Sequence, residues 1–253
     1  MPLSNRHKRA RRALERQLEY QQHKAKSVVG REPEFVAAMQ RSSKRVRDLL
    51  ESFKPIDSQA RVIEVGSGAH GLIFYFGVHH GVGIDPLAVD YARLFPAWQR
   101  RVATVASFGE RLPFANDAFD IVLCDNVVDH AESPLGIVEE LVRVLAPNGL
   151  LYFTVNVHHP IYSAAAAAHA GWSSVGVPFE VGPFADHTTH LTPSRAKRLF
   201  EGLPINVLSE RTGIDEAKAR ARTRPPRHFG DRLKRVFYKN ALFEIVAEKK
   251  SRI

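Results

Sequence analysis

Arg61-Val62-Ile63-Glu64-Val65-Gly66-Ser67-Gly68-Ala69-His70-Gly71, closed further along by Gly83-Ile84-Asp85, is the stretch that decides the fold. It reads as a buried strand, a glycine-rich turn, a helix, a second strand and a carboxylate at that strand's end. Glycines in such a turn let the backbone approach a ligand closely, and a carboxylate at the tip of the next strand can accept two hydrogen bonds from ribose hydroxyls. Asp85 lies 19 residues past Gly66, near the spacing expected of a dinucleotide fingerprint. An adenosine-containing cofactor is therefore expected. Taken alone, the glycine spacing fits a nicotinamide cofactor as well.

Outward from this run, strands and helices alternate. Strands are predicted over 61–65, 81–84, 102–106, 120–124, 150–156, 204–211 and 241–248, and helices over 71–79, 87–98, 134–146 and 193–202. Several strands, such as Ile121-Val122-Leu123-Cys124 and Leu150-Leu151-Tyr152-Phe153, are almost wholly apolar, as strands buried on both faces of a parallel sheet are. The expected architecture is α/β: a doubly wound, mainly parallel seven-stranded sheet with ligands at the carboxyl ends of its strands. Upstream, Phe35, Met39, Val46, Leu49, Leu50 and Phe53 fall on one face of a helix over 34–53, which should cover the domain. Residues 1–26 are polar, and helix or disorder are both compatible with them. The division is then 1–55, a basic tail and cap helix, and 56–253, the catalytic domain with insertions at 157–192 and 212–239.

Charge is unevenly placed. The net +9 comprises +6 in residues 1–30, +6 in 212–239 and −3 elsewhere. Two basic appendages on a mildly acidic body suit an anionic partner, or solvated surface. Cys124 is the only cysteine, which excludes an internal disulfide or a cysteine-based zinc site. With neither a membrane-length apolar run nor a secretory leader, a cytoplasmic location is expected.

Downstream segments separate the cofactor readings. Glu110-Arg111-Leu112-Pro113-Phe114, Phe119-Asp120-Ile121-Val122-Leu123 with His130, and Leu145-Ala146-Pro147-Asn148-Gly149 follow in order. Over roughly residues 60–156 the series resembles the class I S-adenosylmethionine-dependent methyltransferases, in particular the methyltransferase type 11-like group. That resemblance implies a Rossmann-like methyltransferase fold and S-adenosyl-L-methionine as cofactor. Gly66, Ser67 and Gly68 would form the first cofactor loop, with Glu64 near the ammonium of the methionine moiety. Asp85 and Pro86 would hold the ribose. Phe108, Gly109 and Glu110 would flank the adenine, and Asp125 and Asn126 would line the methyl-donor and acceptor side. Three positions depart from the family pattern. His70 stands at a common glycine and is placed to reach the methionine carboxylate. Phe108 stands at a common acid, and Asn148 at a common second glycine.

Because the sulfonium is already an activated leaving group, the protein has chiefly to align acceptor, methyl carbon and sulfur, a service worth about 7–11 kcal/mol in favourable cases. A hydroxyl acceptor also needs a base. His130, His158, His159, His187 and His190 are the candidates, near strand ends or in the 157–192 insertion. Asp186, His187 and His190 lack the regular spacing of metal ligands on a helix, so no metal is expected. Thr192 before Pro193 reads as a helix N-cap, and Tyr162 and Trp172 are candidate pocket aromatics. Phe229, Leu233, Val236 and Phe237 recur at helical spacing among cations, a pattern suited to an anionic bilayer or to a docked lid. The favoured acceptor is a small, sugar or lipid-linked molecule, O-methylated, anionic acceptors included. RNA bound by the basic segments, or an inactive cofactor-binding relative, are the alternatives.

Overall fold

In a computed structural model the described residues are 5–162, 191–223 and 236–251, with the backbone alone for 5–13. The seven strands are β1 (Arg61–Val65), β2 (His80–Ile84), β3 (Ala103–Val105), β4 (Phe119–Asp125), β5 (Leu145–Val157), β6 (Ile205–Thr212) and β7 (Ala241–Lys249). They form one sheet in the order β3-β2-β1-β4-β5-β7-β6. All pairs are parallel except those of β7, which runs antiparallel to both β5 and β6. The chain winds outward from β1 to β3, then restarts on the other side of β1 with β4. The crevice at that reversal, above the carboxyl ends of β1 and β4, is where such sheets take ligands.

Both sheet faces are covered. Ile63, Val65, Val122, Phe153 and Ile245 pack beneath α5 (Pro134–Val144), α6 (Pro193–Arg198) and α7 (Ile214–Thr223), which supply Leu141, Ala196 and Ala217. Val62, Leu123, Tyr152 and Val246 face the other way, toward α1 (Asn5–Val28), α2 (Glu32–Glu51), α3 (Ala88–Leu94) and α4 (Pro96–Gln99). Adjacent residues of one strand thus serve opposite cores, which is why these strands read as continuous apolar runs. On α2 the buried positions are Met39, Ser43, Val46 and Leu50, and the Ser43 hydroxyl donates to Leu72 O at 2.7 Å. Phe53, expected on that face, lies beyond the helix end and is exposed. Helix α1 is docked rather than free: Val28 and Gln21 are buried, and Gln17 is hydrogen-bonded to the Tyr91 hydroxyl on α3.

All four helices predicted between the strands are shorter than expected, the one over 193–202 ending at Arg198. Over 71–79 there is only a 3-10 turn, Leu72–Tyr75, stopped by Gly77 at φ +79°. Arg47 of α2 closes it by donating to Phe76 O and Gly77 O at 2.9 and 2.8 Å. The helix over 87–98 breaks at Phe95, whose backbone (φ −131°, ψ 54°) lies outside the helical region that a following proline disfavours. The helix over 134–146 ends at Val144, and β5 begins at once, with Asn148 at φ +60°. Helix α7 occupies the first part of the 212–239 insertion, where no helix was expected. Residues 163–190 and 224–235 of the two insertions lie outside the described residues. Among the described residues no helix is long and apolar enough to cross a membrane.

Lys249, at the end of β7, is buried and closes the C-terminal end of α5. Its ammonium donates to Val142 O and Leu145 O at 2.7 and 2.6 Å and pairs with Asp117 at 2.7 Å. Lys249→Met should lower unfolding free energy by about 2–4 kcal/mol, the cost of stranding buried partners. Denaturant titration reads that loss as a fall in midpoint.

Candidate functional site

The turn after β1 is held from three sides. Gly66 and Gly68 have φ of +74° and +53°. The Gly66 and Ser67 amides donate to Ile84 O at 2.7 and 3.0 Å, tying the turn to the end of β2. The Gly68 amide donates to Asp85 Oδ2 at 3.0 Å, and the Leu87 amide to Asp85 Oδ1 at 2.8 Å. The Glu64 carboxylate, fully buried, accepts from the amides of Leu72 and Ile73 at 3.1 and 2.9 Å, the first residues of the 3-10 turn. Behind the turn, α4 supplies Trp98, whose Nε1 donates to Ala69 O at 2.7 Å. The neighbouring Gln99 gives its amide to Gly68 O and Ala69 O at 3.0 and 3.1 Å. Trp98 and Gln99 had no role in the sequence reading. Their signal was a tryptophan and a glutamine just after a helix-breaking Phe95-Pro96.

The remaining expected cofactor residues lie around the same crevice. Asp85 and Pro86 stand half-buried at the tip of β2. Phe108 is 54% exposed, a bare aromatic face beside the tip of β3. Gly109 packs so closely on Val65 and Ile137 that a side chain would crowd both. Glu110 is tied to the entry of α5, its Oε1 accepting from the Glu132 and Ser133 amides at 3.1 and 3.4 Å. At the end of β4 the Thr154 hydroxyl donates to Asp125 Oδ1. Asn126, at φ +59°, accepts from the Asn156 amide and side chain at 3.1 and 2.6 Å.

The histidines divide. His130 is half-exposed in the turn after β4, its Nε2 3.8 Å from Asp129. His158 is fully buried where β5 ends, and its Nδ1 accepts from the Asn240 amide at 3.3 Å, so it belongs to the wall between β5 and β7. His159 packs on Phe237 and Tyr238, with ring centroids at 4.8 and 5.5 Å. His187, His190 and Trp172 lie outside the described residues, while Tyr162 donates its hydroxyl to Phe237 O at 3.2 Å. Thr192 is the N-cap of α6, as read from the sequence, accepting from the Arg195 amide. His70 sits among Phe35, Phe95 and Trp98 at 5.8, 4.9 and 5.4 Å. Burial, helped by the Lys24 ammonium, pushes its pKa down to about 4. A neutral ring there can offer a hydrogen bond but no charge.

The crevice floor is acidic. Burial pushes the Glu64 carboxyl up to about 8, with the charges of Asp125 and Asp85 adding to the rise against the two amide bonds. Asp85 is raised by burial despite its two amide donors. Asp125 is open to solvent on one side, yet the crevice walls raise it too, against the Thr154 bond and the charge of Arg45. Such a floor complements a cation. No group of three or more residues arranged to hold a metal occurs among the described residues.

Residues 63–153 match a family model described as a methyltransferase domain. A malonyl-acyl-carrier-protein O-methyltransferase of Halorhodospira halophila is 30% identical over 159 residues, covering 60% of this chain and 52% of that protein. This chain thus spans about half of that relative's length. Among solved structures, a geranyl diphosphate methyltransferase in complex with S-adenosylmethionine superposes with a TM-score of 0.59 at 12% identity, covering 88% of this chain and 91% of that one. The cyclase SpnF superposes with a TM-score of 0.55 at 16% identity, covering 82% and 81%. At these identities the solved structures share the fold.

Two outcomes test the turn. Gly66→Ala adds a methyl that overlaps both γ-carbons of Val127 at a backbone angle side chains rarely take. It should cost about 2–4 kcal/mol, and Val127→Ala in the same chain should recover part of it, leaving about 1 kcal/mol of backbone strain, as read by denaturant titration. Glu64 gives a pH signature. Its folded pKa of about 8 exceeds the ordinary glutamate value of 4.5. Its contribution to stability is therefore complete below the lower value and lost as pH rises through the upper one. In the cofactor-free protein, the stability of wild type relative to Glu64→Gln should fall steadily between about pH 5 and about pH 9.

Proposed function

We propose that this chain, a class I S-adenosylmethionine-dependent methyltransferase by the match at residues 63–153, transfers a methyl group in line from S-adenosyl-L-methionine to a small-molecule, sugar or lipid-linked acceptor, with oxygen the favoured acceptor atom. The observation that carries this reading is the pairing of the glycine turn with Asp85 across the β1–β2 tips, above a floor formed by Glu64, Asp85 and Asp125. In this reading Asp85 takes the ribose hydroxyls, Phe108 lies against the adenine, and the turn over 66–69 lies beside the methionine moiety. The acidic floor suits a donor that carries both an ammonium and a sulfonium and becomes less positive once the methyl has left. O-methyl transfer is supported by the relative that acts on a malonyl group carried by a protein. That example also makes an acyl group on a carrier protein a fitting acceptor, and the two basic segments would suit a carrier of negative charge. When bound, the donor supplies the electrophilic methyl. The chain's own residues orient it, exclude water and receive any proton the acceptor gives up.

Asp85→Ala should weaken S-adenosylmethionine binding by about 1–3 kcal/mol, the scale for charge-assisted hydrogen bonds, when measured by calorimetry on a folded variant. Transfer of a labelled methyl group into extract fractions tests the acceptor class. Label in a small-molecule, lipid or acyl-carrier fraction is the expected outcome. Label confined to RNA would favour the nucleic-acid reading, and binding without transfer would favour an inactive relative.

A further inference from the structure

On the α2 face of the sheet, four laterally neighbouring positions carry polar side chains at the carboxyl end of β4. Asp125 pairs with Thr154 of β5, Thr154 with Glu244 of β7, and Glu244 with Arg211 of β6. Paired residues of adjacent strands point to one face, so the row is continuous. It is also bonded. Thr154 donates to Asp125 Oδ1, and the Tyr152 hydroxyl, one position back on the same face, donates to Glu244 Oε2 at 2.9 Å. From above, Arg45 of α2 reaches down. Its Nη1 donates to Glu244 Oε2 at 3.0 Å and its Nη2 to the Tyr152 hydroxyl at 2.6 Å. Thr154, Tyr152 and Glu244 are buried, while Asp125 opens onto the crevice. Among the described residues its Oδ2 accepts no hydrogen bond.

We propose that Asp125 is the group that takes the acceptor's proton, and that Arg45 of the cap helix is a positioning residue that keeps Asp125 ionised through the Tyr152–Glu244 pair and the Thr154 hydroxyl. This deepens the methyltransferase reading and rests on it. The acceptor class it names is a hydroxyl. An acceptor oxygen lone pair forms the new bond to the methyl carbon, and the carbon–sulfur bond breaks with its electron pair going to sulfur, which becomes a neutral thioether. The hydroxyl proton goes to Asp125 Oδ2. One positive charge and one negative charge disappear together, and the proton then leaves to solvent.

The surroundings explain why a cation is needed. Burial and the charge of Glu244 on β7 oppose the ionisation of Asp125. Its own charge acts on Glu64 of β1, as does that of Asp85 on β2, and Asp129 from the turn after β4 lies with it around Cys124. Arg45 is the described cation whose charge acts on it in the other direction, and Arg211 is turned to Glu216, Nη2 to Oε1 at 2.5 Å. With Arg45 removed, Glu244 would face Asp125 across one strand with Arg211, itself paired with Glu216, as the neighbouring cation. The side chains of His158 and His159 are engaged at the β5–β7 wall and against Phe237, while Asp125 opens onto the crevice.

The test follows the Asp125 carboxyl directly, with aspartate labelled at the carboxyl carbon and the Asp125 signal identified by its loss in Asp125→Asn. In the protein saturated with S-adenosylhomocysteine, Arg45→Gln should raise the Asp125 titration midpoint by about one pH unit, and Arg45→Lys should restore most of it. Tyr152→Phe should move it less. Labelled-methyl incorporation into extract fractions should show its acid limb displaced in the same direction in Arg45→Gln, while Asp125→Asn should lose at least about tenfold in rate. An unmoved midpoint in folded Arg45→Gln, or wild-type transfer by Asp125→Asn across the pH range, would overturn the proposal. Failure of wild type to bind S-adenosylmethionine would instead remove the function reading, and the midpoint in Arg45→Gln would still report whether Arg45 holds the charge of Asp125.

Discussion

A buried carboxyl group without a countercharge organises the glycine turn after β1. Glu64, next to last in β1, has both oxygens engaged by the amides that open the 3-10 turn. Those amides are the orphan donors every helical segment presents at its start, and the two oxygens of one carboxyl group can accept from both. Because the carboxyl is pinned there, Gly71 must be a glycine: a side chain would collide with Glu64 and with Ser67 O. Because Gly71 is fixed, the turn must reverse within Gly66–Gly68, where the positive φ angles fall. The turn is thus set from inside the protein before any ligand arrives, which lowers the ordering cost of binding.

The strand pattern was readable because each sheet strand serves two cores at once, so apolar runs such as Ile121–Cys124 had little alternative. All seven strands fall where expected within a few residues, and so do α2, α5 and the Thr192 cap. Helix lengths were less readable, since they depend on tertiary partners. The 71–79 segment has adequate helical composition, yet Arg47 and Gly77 stop it after one turn. At the site, residue types at the strand tips were readable from the glycine turn, Asp85 and Asp125. What the sequence did not disclose is lateral pairing. Nothing local in Tyr152, Thr154 or Glu244 marks them as neighbours of Asp125, because β7 inserts between β5 and β6 only in the folded sheet.

His70 shows how one substitution in a glycine turn can be absorbed. Its ring needs room that a glycine would not, and the room comes from Phe35, Phe95 and Trp98, contributed by α2 and by the residues that begin and form α4. Those same elements grip the turn: Trp98 and Gln99 bind its carbonyls. The extra side chain has therefore become a packing element between cap and turn. The break at Phe95-Pro96 serves this arrangement, since it turns α4 so that Trp98 points back at Ala69.

The cap helix α2 then has two separable duties. Through Ser43 and Arg47 it satisfies carbonyls of the short 3-10 turn, which stabilises the cofactor end. Through Arg45 it reaches Tyr152 and Glu244 at the acceptor end. Ser43 and Arg47, four residues apart, share one face of the helix, and Arg45 between them leaves from another. A single rigid element thereby spans both halves of the crevice. Any displacement of α2 that admitted an acceptor would loosen the Arg45 contacts and the 3-10 turn together, because a helix of 20 residues does not bend between adjacent positions without a proline or glycine, and within α2 proline occurs only at its first turn.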